Sequence, residues 1–388
     1  MVRKSGGVLI ALSGLALVTY YFWYSAPGHV EQKDRPEQIE QHVNFQEPIT
    51  PIPLEMKLDA RKVALGRRLF HDPRLSHDNT VACSNCHNLA NGGMDGLPRS
   101  SGIAGKEEKV NTLTVFNSGF NFRMFWDGRV ATLEDQIDFP MNSPCEMGSN
   151  WDEVIAKLGG DADYRRDFKA VYPDGIGKKA IKDVIATFER SLTTPNGKFD
   201  RFLRGDKNVL DGDERAGYEL FKSLGCISCH QGRNVGGNMY EKIGVVDDYF
   251  AQRGNVQKVD FGRYNITGIE EHRYEFRVPS LRNVALTAPY FHDASAKTLE
   301  QAVTIMGKYQ LGVKLTSGEV TRIVKFLNTL TGIYDEKLLV EPLAIRQGGQ
   351  TALHSHSAKS PKDGDISRWL TPAKSLVMSG HPQGDTAE

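Results

Sequence analysis

Cys83-Ser84-Asn85-Cys86-His87 and Cys226-Ile227-Ser228-Cys229-His230 are the stretches on which the reading of this 388-residue chain turns. Each carries two thiols at the spacing that suits thioether bonds to the vinyl groups of haem, followed by a histidine able to take the iron's proximal face. A bare Cys-x-x-Cys pair also serves in zinc sites and redox dithiols. The trailing histidine, the recurrence and an exported context favour two covalently bound haem c groups. Cys145 is then left over and is expected to be a buried free thiol.

Outward from the first motif, Leu58 to Phe70 has apolar residues near helical spacing. Leu210 to Phe221 leads to the second motif in the same way, with Asp211 or Asp213 as N-cap. Both leads contain Gly-x-x-Leu-Phe. Farther on, Phe125 to Ile137 aligns without a gap against Phe291 to Val303, sharing Phe, Asp and Thr-Leu-Glu. Gly92-Gly93 and Gly236-Gly237 also follow their motifs at similar distances. The expected fold is mainly α: two cytochrome c-like haem domains from an internal duplication, over 54–200 and 201–340. Ile181 to Leu192 reads as a helix before the boundary, and Thr316 to Leu330 as the last helix, opened by a capping box.

At the N-terminus, Arg3 and Lys4 precede an uncharged stretch from Gly6 to Tyr24, about the length of ~18 residues at which a membrane span becomes the default. Residues 1–26 are therefore expected to be an uncleaved anchor facing the periplasm, with a cleaved signal peptide as rival. Residues 27–53 read as a polar linker and 341–388 as a disordered tail. His354 and His356 fall in that tail and read as solvated. Lys plus Arg (48) equal Asp plus Glu (48), so no global field draws nucleic acid.

The halves differ where chemistry would occur. After its Thr-Leu-Glu helix the second half reaches Met306-Gly307. A thioether opposite a histidine gives a six-coordinate, relatively high-potential electron-transfer haem, so His230 and Met306 are the expected ligands of the second iron and His87 that of the first. The first half instead offers Gln136 and Glu146, groups that orient and deprotonate a bound oxidant.

Leu65 to Phe70, Asp72 to Ser76, Gly92 to Pro98, Phe125 to Arg129, Leu281 to His292 and Ile305 to Gly307 together resemble the bacterial di-haem cytochrome c peroxidases. The resemblance covers about residues 50 to 335. It implies a peroxidatic first haem and an electron-accepting second one, with Trp126 between them and Gln136 and Glu146 lining the peroxide pocket. It also implies a calcium ion held by Asn111 and the carbonyls of Thr287 and Pro289, hard oxygen ligands. Hydrogen peroxide would be the substrate, and a small cytochrome c, a cupredoxin or quinol the donor; a homodimer is one open assembly.

One departure stands out. Many members keep a distal histidine on the peroxidatic iron until half reduction releases it; the ungapped alignment puts Ile103 there. The first haem is therefore expected to be open when oxidised, with no reductive activation. His71 and His77 are the remaining local candidates for a distal ligand, both on the wrong loop. The rival functions are a MauG-like enzyme that uses peroxide to oxidise another protein, and a non-enzymatic di-haem carrier.

Overall fold

A computed structural model describes residues 47–335 and 337–339. The expected anchor, most of the expected linker and the tail lie outside the described residues. Among the described residues no helix is long and apolar enough to cross a membrane.

The regular structure is mostly helical, and both halves belong to one compact unit. The helices that frame the two motifs are α1 (Ala60–Phe70), α2 (Lys178–Ser191), α3 (Gly212–Ser223), α4 (Leu299–Ile305) and α5 (Ser317–Asn328). Side-chain caps fix four of their starts, that of α4 through Thr298, which accepts from Gln301 N. Asp59 accepts from Arg61 N, while Asp211 with Glu214 and Thr316 with Glu319 form reciprocal capping boxes that satisfy otherwise orphaned amides.

The Gly-x-x-Leu-Phe leads are helix-crossing devices. A Cβ on Gly66 would sit 1.9 Å from Val184 O, and one on Gly217 1.9 Å from Arg322 O. Only a bare Cα lets α1 meet α2, and α3 meet α5, this closely. Beside those crossings Leu69, Phe70 and Phe221 are buried. One core surrounds Leu65, Leu69, Ile137 and Val184; another surrounds Phe199, Tyr218, Phe221 and Phe326.

The repeat continues into backbone geometry. Bridges join Met124 to Val130 and Tyr290 to Ala296 at aligned positions. Phe125 and Phe291 both have positive φ (68° and 69°), a conformation uncommon for a bulky residue. Thr132 and Thr298 cap the helices that follow. An antiparallel ribbon, β1 (Tyr240–Lys242) with β2 (Glu275–Arg277), pairs Tyr240 with Arg277.

Two expectations need correction. The C-terminal end of the linker is packed, not free: Ile49 and Ile52 are buried, Gly232 N donates to Pro48 O at 2.9 Å, and Ile49 joins the second core. The polar average of 27–53 conceals these two isoleucines. Cys145 is an unpaired thiol but only half-buried, because it lies in an irregular turn rather than on a core face.

Candidate functional site: two cavities with one shared wall

Each Cys-x-x-Cys-His run folds into one tight turn. His87 N donates to Cys83 O at 2.9 Å and His230 N to Cys226 O at 3.0 Å, so both histidines are fixed against their own cysteines. Nδ1 of His87 lies 3.4 Å from Gly93 O and Nδ1 of His230 3.3 Å from Val235 O. Those contacts commit one ring nitrogen to a carbonyl and leave Nε2 for a metal. Burial lowers both imidazoles, His230 to about 4, and so favours the neutral, ligating form. Burial also raises all four thiols, Cys86 and Cys226 to about 11. A redox dithiol needs the opposite shift.

Each motif opens onto a cavity. The first, with His87, encloses about 1680 Å³ of empty space and the second, with His230, about 1480 Å³, mouths included. Each is a concave, largely apolar space of the kind that takes up an organic group. The structure brings Gln136 and Glu146 to the wall of the first cavity, and Met306 to the wall of the second. Met306 ends α4 and begins a single π-helical turn, Met306–Gln310, a local widening that recurs at functional sites.

Trp126, Asn111, Phe276 and Arg277 line both cavities and form their common wall. The indole Nε1 of Trp126 donates to Asn111 O at 2.8 Å, and its ring stands edge-on to His292 at 6.2 Å. His292 stacks on Phe276 and bonds Asp260 at 2.7 Å. Although Asp260, His292 and Asp293 lie close enough to hold a metal, Arg253 pairs both carboxylates, which makes an ion-pair cluster.

Glu146 is half-buried, and burial first, then the neighbouring Glu108 carboxyl, pushes it up to about 8 against the opposing pull of Arg129. Gly102 makes its setting: a Cβ there would lie 2.0 Å from Cys145 O and 2.5 Å from Glu146 Cα. Ile103 N donates to Glu146 O at 2.8 Å. The Ile103 side chain rests over Gly148 and does not line the first cavity. Among the described residues, His87 is the only histidine on that wall. His71 bonds Arg67 O and His77 bonds Glu153, both away from it.

Sequence reasoning missed Glu108, Glu189 and Arg277, and gave Arg129 no role. All four line the first cavity. Glu108 and Glu189 carry no motif signal, and the two arginines sit in quoted or adjacent motifs without an evident partner. These residues test whether haem fits. Ser118 Oγ, Arg129 Nε, Glu189 Oε2 and Arg277 Nη1 are buried on the cavity wall without hydrogen-bond partners among the described residues. Arg277 is 2 % exposed, its Nε donates to Phe125 O at 3.1 Å, and burial lowers it to about 10. An unpaired buried cation is costly. A prosthetic group with carboxylates fits this vacancy of partners, and the thiols and imidazoles fit its vinyls and iron.

The three residues expected to hold calcium all line the second cavity. The Asn111 amide nitrogen donates to Leu97 O, while neither its oxygen nor the Thr287 and Pro289 carbonyls accept a hydrogen bond among the described residues. Three neutral oxygens suit a hard cation only with water completing the shell.

A family model for the di-haem cytochrome c peroxidases matches residues 60–208. The chain is 47% identical over 289 residues to cytochrome c peroxidase Ccp of Escherichia coli, covering 74% of this chain and 62% of that protein. It thus spans less than two thirds of that relative. Cytochrome c551 peroxidase of Nitrosomonas europaea is 44% identical over 287 residues, covering 74% of this chain and 84% of the relative. Among solved structures, a MauG-like protein associated with microbial copper homeostasis superposes with a TM-score of 0.64 at 30% identity, covering 78% of this chain and 95% of that one.

Proposed function

The chain belongs to the di-haem cytochrome c peroxidase family, oxidoreductases carrying two haem c groups, and from that premise we propose that it reduces hydrogen peroxide to water at the first cavity. One observation carries the reading: the first cavity pairs His87 with Gln136 and Glu146, whereas the second pairs His230 with Met306.

Haem bound at Cys83, Cys86 and His87 supplies the iron chemistry of peroxide reduction. The protein's own contribution is to hold and move the proton. The Glu146 carboxylate takes a proton from one peroxide oxygen and returns it to the other as the O–O bond breaks. The Gln136 amide positions the peroxide. Because burial and Glu108 raise Glu146 to about 8, kcat/KM rises as pH increases through that region, where the base becomes ionised. Trp126, on the common wall, would serve electron passage between the two cavities, and Cys226, Cys229, His230 and Met306 would hold the second haem, which would supply one-electron transfer. A small cytochrome c, cupredoxin or quinol delivers the electrons there, on the periplasmic side, where an N-terminal anchor would keep the enzyme.

With Ile103 outside the cavity and no second histidine on its wall among the described residues, a haem held by His87 would be left open when oxidised, and turnover would need no pre-reduction. A purely six-coordinate low-spin spectrum of the oxidised protein would overturn this. Calcium at Asn111, Thr287 and Pro289 belongs to the same proposal. The likeness to a MauG-like structure and the open cavity favour oxidation of a protein substrate as the second reading; Met306, where such enzymes are expected to carry tyrosine, speaks against it. The deciding experiment is steady-state peroxide consumption with a reduced c-type cytochrome. The peroxidase reading expects turnover that Glu146→Gln abolishes while both haems remain. Full turnover in that variant would remove Glu146 from its role, and no turnover in the parent would remove the peroxidase reading.

A further inference from the structure

The loop in which the family's distal histidine is expected does more here than lose a ligand. From Ser100 to Glu108 it doubles back on itself: Ser101 bridges Glu107, Gly102 N donates to Lys106 O at 2.8 Å, and Glu108 N donates to Ser100 O at 2.8 Å. Its tip is latched to the Glu146 turn through Ile103 N and the absent side chain of Gly102. Its base delivers a second carboxyl, Glu108, to the same cavity wall as Glu146, near enough that its charge disfavours ionisation of Glu146. Two carboxyls placed together on a half-buried wall cannot both be ionised cheaply, and one proton between them relieves the repulsion.

We propose that Glu108 and Glu146 act as a pair that shares one proton, so that the peroxide pocket keeps a carboxylate able to accept and a carboxyl able to donate at the same time. This rests on the peroxidase reading. In the step it serves, the pair takes the proton of one peroxide oxygen, the O–O bond breaks with its electron pair going to the other oxygen, and the pair gives that oxygen a proton, releasing water. The pair ends as it began. The remaining oxygen atom, reduced by two electrons from the c-type donor and joined by two protons from solvent, becomes the second water. Glu108 is the positioning partner and Glu146 the group against the substrate. The other charged or titratable groups on this wall are Arg129, Arg277, Asp127, Lys109, Lys258, Glu189 and His87, with the cysteines of the haem turn alongside. Arg129 opposes the pair's effect on Glu146, and its link to Asp127 at 2.6 Å moderates that pull.

The test uses the holoprotein and Glu108→Gln, with Glu108→Asp as the conservative variant. Two pH profiles are read: kcat/KM for peroxide with a reduced c-type cytochrome, and the rate of cyanide binding to the oxidised protein, since hydrogen cyanide must also give up a proton. Removing the neighbouring charge makes Glu146 ionise more readily, so both profiles should move to lower pH by about one unit or more, and Glu108→Asp should move them back. The maximum of kcat/KM should also fall about tenfold or more through loss of the donor. A merely structural role would lower rates or haem content and leave the profiles where they were, which overturns the inference. If Glu146→Gln abolishes turnover while Glu108→Gln leaves both profiles unmoved, the peroxidase reading stands and the pair fails. If the cyanide profile shifts in a protein that turns over no peroxide, the pair stands and the peroxidase reading fails.

Discussion

The two cavities share a scaffold and differ in their furniture. Equivalent helix crossings, equivalent bridges and equivalent left-handed phenylalanines put a Cys-x-x-Cys-His turn at the foot of each. Above that common frame, helix α4 runs into a π turn that presents Met306, whereas its first-half counterpart, Leu133–Gln136, is interrupted at Ile137, resumes over Asp138–Asn142 and only then gives way to the turn holding Glu146. Pro140 lies in that first-half segment. A small change in how one helix continues thus separates a site furnished with a thioether from one furnished with carboxyls and an amide. The comparison teaches that the shared frame sets the two Cys-x-x-Cys-His turns, and that the segment after each Thr-Leu-Glu helix sets which side chains line the cavity beside each.

The most forceful way to break that comparison is to remove the carboxylate from one side. Glu146→Gln keeps the size of the side chain and both haem turns, and is expected to lower kcat/KM for peroxide by about 10²–10⁴, the usual worth of a general acid–base group. Haem absorbance per protein should be unchanged. Equal activity would mean that the asymmetry between the cavities is not catalytic.

Removing the thioether from the other side is the converse. Met306→Ala should convert the second haem from a six-coordinate low-spin to a five-coordinate or water-ligated spectrum and lower its midpoint potential. Turnover should slow because the inlet is impaired. Retention of the parent spectrum would assign Met306 to the core instead.

The shared frame is tested by Gly66→Ala and Gly217→Ala. Each methyl would meet a main-chain oxygen at 1.9 Å, a clash that backbone cannot evade cheaply. Each should cost ~3 kcal/mol or more, toward the upper end for overpacking, with a fall in Tm of several degrees. Similar losses for both variants would mark the crossings as equivalent; a large loss in one alone would show that the halves depend on them unequally.

Much of this frame was legible because it is local. Capping boxes, Gly-x-x-Leu-Phe and the gapless Phe-x-Asp repeat are written within short windows and fold as written. Met306, Gln136 and Glu146 could be found because the repeat gave them a reference position. Glu108 could not: it belongs to a loop placed by a backbone latch, Ile103 N to Glu146 O, between residues more than forty positions apart. Ile103 shows the same limit. Its alignment position suggested the cavity, yet the latch turns its side chain onto Gly148. Ile49 and Ile52 were hidden by averaging, since two buried residues can anchor a segment that is polar overall.

The smallest expected effect concerns the wall where the comparison ends, because it belongs to both cavities. Arg277 reaches it by pairing with Tyr240 in the β1–β2 ribbon, with its backbone N bonded to Trp126 O at 2.7 Å. Its Nη1, without a partner among the described residues, puts a positive charge on the wall of both cavities. A nearby cation favours the reduced, less positive haem, so Arg277→Gln should lower the midpoint potentials of both haems together in a redox titration. The Met306 variant should lower mainly the second. Arg277→Lys keeps the charge but not the planar fork and should lie between parent and Gln. A shift confined to one haem would place the guanidinium in a single site, and the wall would then divide the cavities electrostatically as well as join them through Trp126.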